Sequence, residues 1–254
     1  MNRKPRPLMP AVAFTVVIAL LANADIAFGQ PPGGRPRPNL PPIPPKGDTT
    51  HTLTRDFVPA SNTKSETAPH NNGFIQRWLA LEPIRKEIQR NNILTETYIR
   101  TAFAENNFST DFNVVPKNGR KVKVGDQRLQ WHALDSKTFI FNLYNFTYAI
   151  NKPPYGNIFW LVTVINCPEE IPNVRMAAGV NSGGMFWLNG EEALVLSGDR
   201  DMVVDNVVSQ PLTLKKGKNI VRAAIINGPG MCTFAVRFLD ENGSPVKNFT
   251  ISYE

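Results

Sequence analysis

Phe186-Trp187-Leu188-Asn189-Gly190-Glu191 joins three large apolar side chains to the dipeptide that most favours a two-residue hairpin. A type I′ turn needs positive φ at both central residues, and Asn followed by Gly accepts that at least cost. Side chains alternate across a strand, so Trp187 must face away from the surface that Phe186 and Leu188 bury. The stretch therefore predicts an antiparallel hairpin, with a tryptophan on the face opposite its two neighbours.

The same grammar continues on both sides. Leu212-Thr213-Leu214-Lys215-Lys216-Gly217-Lys218-Asn219-Ile220-Val221 reads as a second hairpin, with Gly217 in the left-handed position. Short runs rich in β-formers lie at Phe139–Tyr148, Ile158–Ile165, Val174–Val180, Met185–Leu188, Ile220–Ile226 and Thr233–Leu239. Phe74–Leu81 is another, closed by Pro83. Residues 84–106 form the one helical region, with Ile84, Ile88, Leu94, Tyr98 and Phe103 loosely spaced. Many short strands with one helix predict an all-β sandwich of two antiparallel sheets over residues 73–254.

The first 72 residues have a different character. Arg3, Lys4 and Arg6 precede the apolar run Ala11–Leu21, and small residues follow at Ala22, Ala24, Ala27 and Gly29. A basic head, a short apolar run and a small-residue exit form an export signal over residues 1–29. A membrane anchor would need about 20 apolar residues, so the mature chain has no span and works in a secreted, periplasmic or cell-surface setting. Residues 30–72 hold ten of the 22 prolines and read as an extended, solvated linker.

The chain has 254 residues, 42% hydrophobic and 19% charged, with a net charge of +7. From residue 73 onward, twenty basic groups face seventeen acidic ones. Much of the positive excess thus lies outside the fold, and the charge alone does not call for a nucleic-acid partner.

On these residues a resemblance can be stated. Trp187-Leu188-Asn189-Gly190-Glu191, the Leu212–Asn219 run and Phe234-Ala235-Val236-Arg237-Phe238-Leu239-Asp240 resemble the C-terminal half of galactose-binding-domain-like jelly rolls. Gly73-Phe74-Ile75-Gln76-Arg77-Trp78-Leu79-Ala80-Leu81-Glu82-Pro83-Ile84 is similar to the way such modules begin. They accompany secreted bacterial carbohydrate-active enzymes, among them proteins labelled acetylxylan esterase. The resemblance implies a jelly roll and a polysaccharide or glycan ligand, with a cell-surface protein partner or a hydrolase as alternatives. One departure is Asn181-Ser182-Gly183-Gly184, which stands where relatives often carry an acidic Asp-Asp-Gly turn.

The catalytic inventory is thin. His51 and His70 fall in the linker, which leaves His132 as the one histidine for a triad, and there is no Gly-x-Ser-x-Gly elbow. Glu191 and Glu192 are neighbours on a strand, so they point to opposite faces. Asp199, Asp201 and Asp205 are oxygen-rich enough to suggest calcium, although Arg200 intervenes. No other cofactor is expected. Cys167 and Cys232 allow either a disulfide or two small buried thiols. For sugar binding, the ring of Trp187 is the stacking candidate. Asn181, Ser182, Tyr155 and Asn227 are its candidate polar companions, on the principle that sandwiches bind through end loops.

Overall fold

The computed structural model describes residues 52–60, 62–86, 94–228 and 230–254. All lie in the second of two units into which the chain divides, residues 40–254. The export signal and most of the proline-rich run lie outside the described residues.

In chain order, the body begins with α1 (Leu53–Asp56), β1 (Phe57–Pro59), β2 (Arg77–Leu81), β3 (Ile84–Arg85) and α2 (Glu96–Glu105). It continues with β4 (Lys121–Val124), β5 (Gln127–Ser136), β6 (Phe141–Asn142), α3 (Leu143–Ala149), β7 (Asn157–Cys167) and β8 (Ile171–Val180). Then come β9 (Gly183–Leu188), β10 (Glu191–Leu196), β11 (Val207–Val208), β12 (Leu212–Leu214), β13 (Gly217–Asn227), β14 (Thr233–Leu239) and β15 (Thr250–Ser252). The larger sheet has the order β1-β5-β2-β7-β13-β9-β10, with β3 and β15 on β7 and β4 on β5. The smaller runs β11-β8-β14-β6, with β12 on β8. Every pairing is antiparallel, and the protein is an all-β sandwich.

Alternation sorts the side chains into two cores. Trp78, Phe159, Leu161, Phe186 and Leu188 face the smaller sheet, where Met176, Val180, Phe234 and Phe238 meet them. Trp131, Trp160, Val162, Met185 and Trp187 face the other way, beneath Ile99, Ala102 and Phe103 of α2 and the Phe108 and Phe112 side chains. The larger sheet is thus buried on both faces. That is why β7 is an almost unbroken apolar run rather than an alternating one.

α2 starts at Thr95, whose hydroxyl accepts the Tyr98 N–H at 3.2 Å, and ends at Asn106. It is shorter than the 84–106 region read from sequence, because Ile84–Arg85 pairs with β7 as β3. The Asn189-Gly190 turn has φ of 52° and 85°, and Glu191 pairs with Leu188 as predicted.

Three expectations are corrected. Gly217 has φ 83°, yet β12 joins β8 in the smaller sheet while β13 joins β7 and β9. The turn therefore crosses between sheets instead of closing a hairpin. Asn219 fixes the crossing, donating to the Lys215 carbonyl at 2.7 Å and accepting the Lys215 N–H at 2.8 Å. Within Phe139–Tyr148 only Phe141–Asn142 is strand. Asn142 caps α3 by accepting the Asn145 N–H at 2.9 Å.

The third concerns the linker, whose last residues belong to the body. Phe57 is buried against Phe141 and Phe146, and β1 pairs with β5. Buried Arg77 bridges Asp135 at 2.8 Å and also donates to the Ser65 carbonyl, while Tyr253 donates to Asp135 at 2.9 Å. Segments from both ends of the described body are thereby tied to one ion pair.

Candidate functional site

Trp160 on β7 and Trp187 on β9 lie two strands apart in the larger sheet, on its α2-covered face, with β13 between them. Their rings stack at 5.8 Å and 29°. Phe112 meets Trp187 at 5.0 Å and Phe103 meets Trp160 at 6.0 Å. Around them is a cavity of about 420 Å³, its apolar wall completed by Met185. Arg100, Glu192, Asn107 and Thr110 supply its polar lining.

The rim is ordered by charge. Arg100 on α2 holds Glu192 of β10 with two bonds of 2.5 and 2.7 Å, and Glu96 at 2.8 Å. Those bonds hold Glu192 below the usual carboxylate range and keep Arg100 charged. They also tie the helix to the strand edge beside the cavity mouth.

Beneath the Asn107–Phe112 segment lies Arg222 of β13, fully buried and with no carboxylate bonded to it. Its guanidinium lies 4.1–4.3 Å from the centroids of Phe108, Phe112 and Trp160. It donates to the carbonyls of Ser109 and Asp111 at 3.2 Å and to the Asn107 side chain, while its Nε has no partner among the described residues. Burial pulls its pKa down to about 9, partly opposed by Asp111, so it stays charged at neutral pH. Arg222 thus clamps the segment that carries Phe112 and Asn107 into the cavity wall.

Trp187 faces as the alternation predicts and retains only 7% of its surface. The other four ligand candidates gather elsewhere, at the sandwich end where Ile226 pairs with Gly183 and Asn227 with Asn157. Trp187 is four residues further along β9, about 14 Å away along the strand. Their polar groups bind neighbouring chain. Asn181 accepts from the Thr233 backbone at 3.1 Å and hydroxyl at 2.6 Å. Ser182 is buried at φ 62° and donates its N–H to the Arg200 carbonyl. Asn227 donates to Pro154 O at 2.7 Å, and the Tyr155 hydroxyl lies 3.1 Å from that of Tyr144. The structure does not join this group to Trp187 as one site. The companions it supplies instead are Phe103, Phe112, Arg100, Glu192 and Asn107. Four of these lie in 85–135, far from Trp187 in the chain, while Glu192 is brought opposite it by the Asn189-Gly190 hairpin.

The remaining candidates have other partners. His132 Nε2 lies 3.4 Å from Glu82 and its ring meets Phe146, while Lys152 holds the other Glu82 oxygen at 3.8 Å. That set contains no nucleophile. Asp205 is bound by Arg237, and no group of three His, Cys, Asp or Glu side chains among the described residues could hold a metal ion. Asp205, a calcium candidate together with Asp199 and Asp201, is thus engaged by an arginine. Cys167 and Cys232 are free, buried thiols, which corrects the disulfide alternative. Burial pushes both thiol pKa values up and leaves them unreactive. A more open groove of about 530 Å³ beside Cys167 and Thr250 offers one aromatic ring, Phe249.

No family model and no curated protein matches the chain. Among solved structures, it overlaps a PA14 sugar-binding domain from an RTX adhesin with TM-score 0.42 and 11% identity, covering 71% of this chain and 100% of that one. It overlaps the PA14 domain of the MpAFP antifreeze protein with TM-score 0.40 and 10% identity, covering 76% and 95%. An epithelial adhesin A domain from Candida glabrata, in complex with β-lactose, gives TM-score 0.28 and 11% identity over 74% and 88%. Overlaps this loose carry no weight for what the chain binds. No described helix is long and apolar enough to cross a membrane.

Proposed function

We propose that this protein is a non-catalytic carbohydrate-binding domain, with the Trp160–Trp187 cavity as its sugar site. The observation that supports it most is the convergence of Phe103, Phe112, Trp160 and Trp187 with Arg100, Glu192 and Asn107 around one cavity. A pyranose has an apolar C–H face and a ring of hydroxyls, so it needs this pairing of an aromatic wall with a charged, hydrogen-bonding rim. The export signal read in residues 1–29 fits a module that meets polysaccharide outside the cytoplasm.

A glycan-binding screen on the full chain tests this, alongside Phe112→Ala and Trp187→Phe. Both variants should weaken the bound glycan by about tenfold, the loss of ~1.4 kcal/mol of stacking and packing. Retention of no glycan by the wild-type chain, or wild-type retention by both variants, contradicts the proposal.

A second reading, a cell-surface protein-interaction domain, has one observation on its side. Val203, Val204 and Val208 are 53%, 39% and 42% exposed within one short stretch. Stoichiometric co-purification of a protein that Val203→Asp abolishes, without glycan affinity, would favour it.

A further inference from the structure

A second cavity, of about 350 Å³, opens on the other side of the Asn107–Lys117 segment, walled by Phe108, Trp131, Pro116 and Val122 and edged by Lys117 and Arg120. Phe108 links the two sites, 4.8 Å from Trp131 and 5.6 Å from Trp160. Trp131 on β5 is four strands from Trp187 on β9, about 19 Å across the sheet.

The two cavities differ in charge. At the first, Arg100 is bound by Glu96 and Glu192, and Arg222 is turned to carbonyls, so neither cation is available. At the second, Lys117 and Arg120 are exposed and have no ion-pair partner among the described residues. Their turn is fixed against β5. Gly119 donates to the Trp131 carbonyl at 2.8 Å, Trp131 donates to the Arg120 carbonyl at 3.0 Å, and the Asn118 side chain accepts the Ala133 N–H at 2.9 Å. The same edge hairpin carries Lys121, Lys123 and Arg128 on its reverse face, with Asp126 the one acid between residues 117 and 128.

We infer that this second cavity takes an anionic sugar unit, so that the ligand of the domain is an acidic polysaccharide rather than a neutral one. The inference rests on the sugar reading of the first cavity and adds the class of polymer. An apolar wall beside two unneutralised cations suits a sugar ring that carries a carboxylate or sulfate. Nucleic acid is the competing polyanion, but it would engage both faces of the basic hairpin alike.

The full chain is tested against polygalacturonate, neutral xylan and duplex DNA at low and high salt, with Lys117→Gln/Arg120→Gln and the reverse-face Lys121→Gln/Lys123→Gln. Polygalacturonate should bind about tenfold tighter than xylan at low salt, an advantage erased by high salt. The Lys117/Arg120 variant should lose that advantage and keep xylan binding, while the reverse-face variant keeps both. Equal affinity for the two glycans, or a preference unchanged in the Lys117/Arg120 variant, overturns the inference and leaves the sugar reading intact. So does DNA binding as tight as polygalacturonate that falls equally in both variants. Loss of both glycans by wild-type protein overturns the two readings together.

Discussion

Arg222 shows how one buried side chain can hold a functional surface. Its hydrogen bonds run to the Asn107–Asp111 segment, and three rings enclose it. Arg222→Met should therefore destabilise the protein by about 2 kcal/mol, because the Ser109 and Asp111 carbonyls lose their donor, and urea unfolding will measure it. Gly179 makes a second prediction at this scale. A Cβ there would lie 1.9 Å from the Val203 carbonyl oxygen, so Gly179→Ala should cost at least about 2 kcal/mol by lifting the 197–206 loop. A melting temperature unchanged in either variant contradicts the packing described. The facing of Trp187 was legible from Phe186 and Leu188 alone. Arg222 was not, because an arginine in a strand reads as a solvated position until a covering segment is known.

At the scale of elements, α2 and β10 are joined through Arg100 and Glu192. Glu192 titrates below the usual carboxylate range in the folded protein, so its contribution is full at neutral pH and fades as the pH falls through the folded value. The stability difference between wild type and Glu192→Gln should accordingly shrink between about pH 5 and pH 3. A difference constant over that range contradicts the pairing. The Asn189-Gly190 hairpin was readable because its turn chemistry is local. The crossing at Gly217 was not, since the same glycine serves a hairpin or a sheet change, and pairing partners alone decide. α3 escaped notice for a related reason: Tyr144-Asn145-Phe146-Thr147-Tyr148 alternates apolar and polar residues as a strand would, and Asn142 shows as a helix cap only once the chain is folded. The cavity companions Phe103 and Phe112 were hidden because they meet Trp187 only through tertiary packing, whereas Glu192 stands opposite Trp187 across the readable hairpin.

For the whole molecule, the consequence is a body that begins before Gly73. Phe57, β1 and the Ser65 contact of Arg77 all precede that residue. A chain cut to residues 73–254 should lose about 3–5 kcal/mol, from the buried phenyl ring and the exposed β5 edge, and melt correspondingly lower. Equal stability of the cut and intact chains would return these residues to the linker. Two stacked sheets were legible from the many short apolar runs. The layer that covers the second face was not, because it is built from α2 and irregular segments in the least patterned part of the sequence.

The indole N–H signals of the four tryptophans offer the most direct test of where a glycan binds. Trp78 lies in the core between the sheets, its Nε1 donating to the Ile75 carbonyl, and serves as an internal reference. Nitrogen-15 titration of the full chain with the glycan retained in the screen should shift Trp187 and Trp160 and leave Trp78 in place. Saturable binding that moves none of the four, or moves Trp78 as far as Trp187, would contradict the site.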